Sequence, residues 1–457
     1  MAEIKKTKPF NHLTAITSID GRFRGRVENL HIYFSEYAVI RGRVFVEIEY
    51  LIALLKKLNK KFNKTSENKL HKIAREFNLK DAEWVWKKDE EINHDTKAVE
   101  YFLAEKIKNT GLEKYRNYLH LGITSTDIDN TAFALSLKEF LEKLYLPKIN
   151  NVIRELNKLA KEQKNLVMLA RTHSKVAVPT TAGKEMKNFA VRLSVQAEKL
   201  KSIKIGSKMT GAVGNQNALV AAYPNYNWTS FFNNFLKSLG LSSYTYTTQV
   251  EPYEHKVELI QAIKRINLII QAFDKDIWRY LALGYISLRD EKGHVGSSTM
   301  PQKINPVGFE MSESYATMAN SILSALEDKL PQNRWQRDLT DKYLLRDFGQ
   351  AMVMSYLSYD SAAYAIKQIG FNKGVLNNDL ENHWDSIAEG IQTILRSYEV
   401  KDPYEKVKDL TRGKRVTKED YERFINNLAI PIEAKKKLKN LSPHNYIGLS
   451  VKLAERR

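Results

Sequence analysis

Three long stretches of helical periodicity dominate this chain. They run from Glu251 to just before Leu288, from Val307 to Leu330 and from Tyr343 to Ile369, and in each the apolar residues recur three and four apart. Helices of that length, apolar on several sides, bury themselves against partners. The pattern therefore predicts an all-α fold built on a central bundle of long helices. At 457 residues the chain has room for two or three domains.

We expect an N-terminal helical domain over 1–111, the long-helix bundle over 112–369 and a smaller helical domain over 370–457. In the first, Asp20-Gly21 forms the corner of a turn, a helix runs from about Leu30 to Asn63, and Asn93-His94-Asp95 opens a helix from Thr96 to Ile107 that Gly111 closes. In the second, Thr124-Ser125-Thr126-Asp127 caps a long helix reaching toward Gln163, which Pro147 kinks or divides. An apolar run from Leu166 to Ala170 leads into Arg171-Thr172-His173-Ser174, and a further helix starts near Thr180. Gly370, Gly374 and Asn377-Asn378-Asp379 mark the passage into the third segment, which has shorter, more charged helices and no chemistry-bearing motif.

Composition excludes several classes. There is no cysteine, so disulfides, thiolate nucleophiles and thiolate metal sites are out. The uncharged run from Met209 to Leu236 is long enough to span a bilayer, but its glycines, asparagines, glutamine and proline would be rejected by hydrocarbon, and no secretory leader pattern opens the chain. A soluble protein is expected, and a reducing cytoplasm is compatible with it. The net charge is +19, yet the basic residues are spread out and only short clusters occur, such as Lys435-Lys436-Lys437. Solvated lysine faces account for this better than a nucleic-acid surface.

The polar segment Gly296-Ser297-Ser298-Thr299-Met300-Pro301-Gln302-Lys303-Ile304-Asn305-Pro306 lies between two of the long helices. Two hydroxyls, a cation and an amide suit a small anion, although loops rich in Gly, Ser and Pro more often just turn the chain. Arg171-Thr172-His173, Asn93-His94-Asp95, Thr124-Ser125 and Arg334-Trp335-Gln336-Arg337-Asp338-Leu339-Thr340-Asp341 each have a plain reading as well, as caps or exposed charged turns. Their order along the chain is more specific than any one of them. The loop at Ser297 resembles the mobile catalytic loop of the fumarase/aspartase superfamily, and the set from Arg22 to Arg346 resembles the adenylosuccinate lyases within it.

That resemblance implies the following. Ser297 is the general base and His173 the general acid. Lys303 and Asn305 hold a substrate carboxylate, with Ser298 and Ile304 as further contacts in the same loop. Thr124 and Ser125 bind the carboxylate of the fumarate half, His94 contacts a phosphate or assists the acid, and Asn93 and Asp95 are further substrate contacts. Arg22 and Phe23 contact the nucleotide, Gln249 and Lys342 contact the substrate, and Arg337 and Arg346 face phosphate or carboxylate, where guanidinium groups bind oxygen atoms in pairs. The sequence departs from the family pattern at Gln302, Ser174-Lys175, Phe23, Met311 and Lys342. The expected partners are anionic nucleotides, with fumarate and AMP as products. No metal or redox cofactor, nucleic acid or membrane is expected. The assembly implied is a cytoplasmic homotetramer with shared active sites. Argininosuccinate lyase, favoured by Gln302, is the alternative within the superfamily, and a basic helical nucleic-acid-binding protein the one outside it.

Overall fold

A computed structural model describes residues 13–289, 298–413 and 415–456. The helices that matter for the site follow in chain order. Helix α1 spans Glu36–Lys57 and is capped by Ser35, whose hydroxyl accepts from the Ala38 N–H at 3.2 Å. Helix α2 is Asp95–Lys106 and α3 is Ser125–Phe140. A π-helical turn, Leu141–Tyr145, joins α3 to α4, Leu146–Glu162. Pro147 has no N–H to donate, and the wide turn falls immediately before it, so the expected division is made without breaking the helical path.

Strands β1 (Val167–Thr172) and β2 (Lys175–Thr181) form an antiparallel hairpin, followed by α5, Ala182–Ser202. Then come α6 (Glu254–Ala282), β3 (Ile286–Leu288), α7 (Val307–Lys329), α8 (Thr340–Ile366), β4 (Ile369–Phe371) and α9 (Lys373–Glu381). Strand β3 pairs with β4 antiparallel. The three long periodic stretches are thus α6, α7 and α8. The fold is all-α with short two-stranded pairs as its only sheet among the described residues. No described helix is long and apolar enough to cross a membrane.

Backbone contacts divide the chain into two units. The first comprises residues 1–148, 198–267 and 315–357, and the second 149–197, 268–314 and 358–457.

In the first unit, α1 is apolar nearly all round and feeds two cores. One gathers Val44, Ile48, Leu51, Phe77, Phe102 and their neighbours. The other gathers Tyr50, Leu54, Trp228, Phe232 and Phe235, with the Tyr50 ring stacked on Phe232 at 6.1 Å. Each such side chain stabilises by about 1.5–3 kcal/mol when fully buried. The uncharged run after Met209 supplies this core, through a helix at Trp228–Ser238, rather than a membrane. Segments of the three long helices lie side by side here. Lys264 meets Glu327 at 2.5 Å, and the Asn267 amide donates to Asn320 Oδ1 at 2.8 Å and Ser355 Oγ at 2.9 Å.

In the second unit, Phe273 of α6 packs edge-on against Phe189 of α5 and Phe309 of α7. Ser312 and Ser358 hydroxyls join α7 to α8 at 3.2 Å. The C-terminal helices close over their own core, which includes Trp384, Ile391, Leu395, Tyr421, Ile425 and Leu438.

Candidate active site

In the first unit two helix N-termini line one cleft of about 280 Å³. The first belongs to α2. Asn93 takes a left-handed backbone (φ 52°), and His94 caps the helix, its Nδ1 accepting from the Lys97 N–H at 3.1 Å. That bond leaves Nε2 as the protonated nitrogen of the neutral ring. The second N-terminus belongs to α3, where Thr124 and Ser125 stand at the cleft. Helix starts carry unpaired N–H groups and the positive end of the dipole, so the cleft is built for an anion.

Asp127 organises the wall behind it. This fully buried carboxylate accepts from the N–H groups of Thr124 (2.9 Å), Thr210 (3.1 Å) and Gly211 (3.1 Å), and pairs with the equally buried Lys208 at 2.7 Å. Burial pushes the Lys208 ammonium below its ordinary pKa, and Asp127 opposes that shift only in part. Thr126 donates to the Gln249 carbonyl at 2.6 Å, and the Gln249 amide donates to the Ala212 carbonyl at 2.9 Å, so that side chain is already engaged.

His120 lines the same cleft and was not singled out from the sequence. It has a left-handed backbone (φ 53°), and its Nδ1 lies 2.5 Å from Oε1 of Glu47, which is fully buried in α1. Burial lowers the imidazole pKa, but the hydrogen bond to Glu47 and its charge outweigh that, and the net shift is upward. The available signal was Glu47 itself, an acid set among Val44, Val46 and Ile48, since a buried charge needs a partner.

Asp95 serves a second network. Its Oδ2 meets Arg43 at 2.8 Å and Lys342 at 2.7 Å, and Arg43 also binds Asp129 at 2.7 Å. Burial alone would raise the Asp95 pKa, yet the two cations and the Thr96 N–H hold it well below the carboxylate range. Lys342 is thereby fixed on the wall of a cavity of about 140 Å³ that Arg337 and Arg346 also line. Arg346 pairs with Glu36 at 2.8 Å, whereas the buried Arg337 Nη1 and Glu251 Oε2 find no hydrogen-bond partner among the described residues. Asp338, beside Arg337, is drawn down to about 2 by the Thr340 hydroxyl and by the N–H groups of Thr340 and Arg334. Arg22 is exposed in the expected turn, and the Phe23 ring meets Tyr315 edge-on at 5.4 Å.

In the second unit His173 stands at the tip of the β1–β2 hairpin. Thr172 pairs with Lys175, and both loop residues have positive φ, 52° at His173 and 61° at Ser174. That is the pattern of a type I′ turn, which matches the twist of paired strands and favours Asn-Gly. His173 is on an exposed hairpin tip that was not expected from the sequence, and α5 begins at Ala182, two residues from the helix start expected near Thr180. Ser298, Lys303 and Ile304 are exposed and Asn305 is half-buried in the segment leading to α7. Ser297 lies outside the described residues. Among the described residues no three His, Asp or Glu side chains gather as metal ligands would.

The fold recurs in solved structures. They include a fumarate lyase from Mesorhizobium sp. BNC1 (TM-score 0.77, 17% identity, 94% of this chain and 96% of that one). A 3-carboxy-cis,cis-muconate lactonizing enzyme from Pseudomonas putida follows at TM-score 0.75, 18% identity and the same coverage. At those identities the likeness is one of fold. Residues 7–320 match the family described as Lyase, and residues 333–447 the one described as Adenylosuccinate lyase C-terminal. An adenylosuccinate lyase of Vibrio cholerae serotype O1 is 41% identical, covering 97% of this chain and 99% of its own. Those of Escherichia coli K12 (40%; 97% and 98%) and Dictyostelium discoideum (42%; 96% and 97%) are similar in the same way. The chain belongs to the adenylosuccinate lyase family and is a lyase.

Proposed function

We propose that this enzyme eliminates fumarate from adenylosuccinate, giving AMP, and from the succinyl-carboxamide ribotide of purine synthesis, giving the carboxamide ribotide. The observation that carries the reading is identity of about two residues in five with adenylosuccinate lyases over essentially the whole chain. Ser297 takes the proton from the carbon next to a carboxylate. The electron pair delocalises into that carboxylate, where Lys303 and Asn305 supply fixed positive partners. The carbon–nitrogen bond then breaks, and the departing nitrogen takes a proton from His173. Ser297 is a weak base at its free pKa, so its surroundings must stabilise the alkoxide.

The unit-one geometry supports the binding roles. Thr124, Ser125 and His94 offer two helix N-termini to a carboxylate, and His120, whose imidazole pKa the Glu47 contact raises, lines the same cleft. Arg337, Lys342 and Arg346 take the phosphate, with Asp95 and Arg43 ordering Lys342. Arg22, Phe23, Asn93, Gln249, Ser298 and Ile304 complete the substrate contacts. The protein acts in the cytoplasm as a homotetramer of three-domain chains, with domains at 1–111, 112–369 and 370–457. Each active site draws on three subunits, which explains how motifs so distant in sequence serve one substrate. Full activity in a monomer would contradict this.

Substitution tests the roles. Ser297→Ala and His173→Ala should each nearly abolish turnover while substrate still binds. A wild-type rate in either variant removes that residue from its role.

A further inference from the structure

The C-terminal segment, 370–457, carries no chemistry-bearing motif, yet one of its carboxylates reaches the hairpin that bears His173. Arg171 lies two residues before the tip. Its Nη1 donates to the Tyr285 hydroxyl at 2.6 Å and its Nη2 to Asp379 Oδ2 at 2.8 Å. The Tyr285 hydroxyl donates to the same Asp379 oxygen, and the Arg171 guanidinium sits 5.0 Å from the centre of the Tyr285 ring. The other Asp379 oxygen lies 3.1 Å from His383 Nδ1.

These partners are firmly held. Tyr285 is 2% exposed, stacks on Tyr280 at 6.2 Å, and belongs to a small core with Met168, Ala182 and Leu376. Its carbonyl accepts from the Asn372 N–H at 2.9 Å, just before α9, which carries Asp379. Burial would raise the Asp379 pKa, but the hydroxyl and the guanidinium keep it low, so the pair stays charged. Burial in turn pushes the Tyr285 phenol up to about 12, so it remains a donor.

The hairpin needs such an anchor. Its register slips between Leu169↔Pro179 and Arg171↔Val176, so only two residue pairs hold the tip beyond the slip. Within those pairs, the Arg171 side chain bonds outward to Tyr285 and Asp379.

We propose that Arg171, Tyr285 and Asp379 form a positioning node that fixes the approach of His173 to the leaving nitrogen, and thereby gives the C-terminal segment a part in the elimination. The inference rests on the acid role proposed for His173. A guanidinium forked between a hydroxyl and a carboxylate oxygen that are themselves bonded constrains direction as well as distance, and a shift of about 1 Å in a catalytic group can cost on the order of 100-fold in rate.

The test is steady-state and single-turnover kinetics on the full-length enzyme with adenylosuccinate. Tyr285→Phe keeps the buried ring and removes only the hydroxyl. It should lower kcat about tenfold while KM stays within about twofold, because the interaction lost acts on the transition state. Asp379→Asn should do the same or more. In a His173→Ala background, Tyr285→Phe should cost nothing further, since a node that works through His173 has nothing left to position. An equal loss in both backgrounds would mean a merely structural role and overturn the proposal. Unchanged kcat in Tyr285→Phe, with His173→Ala inactive, would overturn the node alone. Full activity in His173→Ala would remove the acid role and the node together. Should Asp379→Asn fail to fold, the Tyr285→Phe comparison still decides.

Discussion

Replacing Asp127 by Asn should cost about 3–5 kcal/mol of stability, with a pH signature that identifies the cause. The Asp127 Oδ2 accepts from the N–H groups of Thr124 and Gly211, and Oδ1 accepts from the Thr210 N–H and meets Lys208 Nζ. An amide has one acceptor oxygen, so either orientation turns an NH₂ group toward two donors. Each buried donor left unpaired costs about 1–3 kcal/mol. Lys208, 0% exposed, also loses its counter-charge, and breaking such a pair from one side typically costs about 3–5 kcal/mol. A ceiling follows from letting the lysine go neutral, which at pH 7 costs about 4.6 kcal/mol from an ordinary pKa. The terms share atoms and do not add, so the total stays near that ceiling. In the variant the folded Lys208 pKa lies far below the unfolded value. The unfolded state then binds more protons, and stability rises with pH up to the unfolded lysine value. Urea unfolding followed by tryptophan fluorescence, at one protein concentration, should show the gap to wild type narrowing by at least 1–2 kcal/mol between about pH 7 and 9.5. A loss under about 1 kcal/mol at pH 7, or a gap that does not narrow, would refute the reasoning.

Three further outcomes are expected. Ser174→Gly relieves a left-handed serine, a conformation costing about 1–2 kcal/mol, against the extra chain entropy of glycine; thermal unfolding should show a net gain of about 0.5–1 kcal/mol. Gly122→Ala places a Cβ 2.4 Å from the Leu219 Cγ at φ +72°, and should lose about 2–4 kcal/mol in urea titration. The lowered Asp95 pKa gives stability that is full above about pH 4 and fades as pH falls through the folded value. Urea midpoints should therefore drop less between pH 6 and pH 3 in Asp95→Asn than in wild type.

The long helices were legible because their periodicity is local: α7 and α8 fall within a few residues of the stretches read from the sequence. The caps at Asn93-His94-Asp95 and Thr124-Ser125 were legible for the same reason. The hairpin under His173 was not. A type I′ turn made from His-Ser lacks the Asn-Gly signature, and the apolar run before it is too short to separate strand from helix. Long-range pairings were equally hidden. Nothing local ties Asp95 to Lys342, His120 to Glu47 or Asp379 to Arg171, because each bond depends on how distant helices pack.

The most direct measurement is product analysis with purified protein and adenylosuccinate. The account predicts fumarate and AMP in equal amounts, with both lost in Ser297→Ala and His173→Ala. No fumarate at saturating substrate would contradict it.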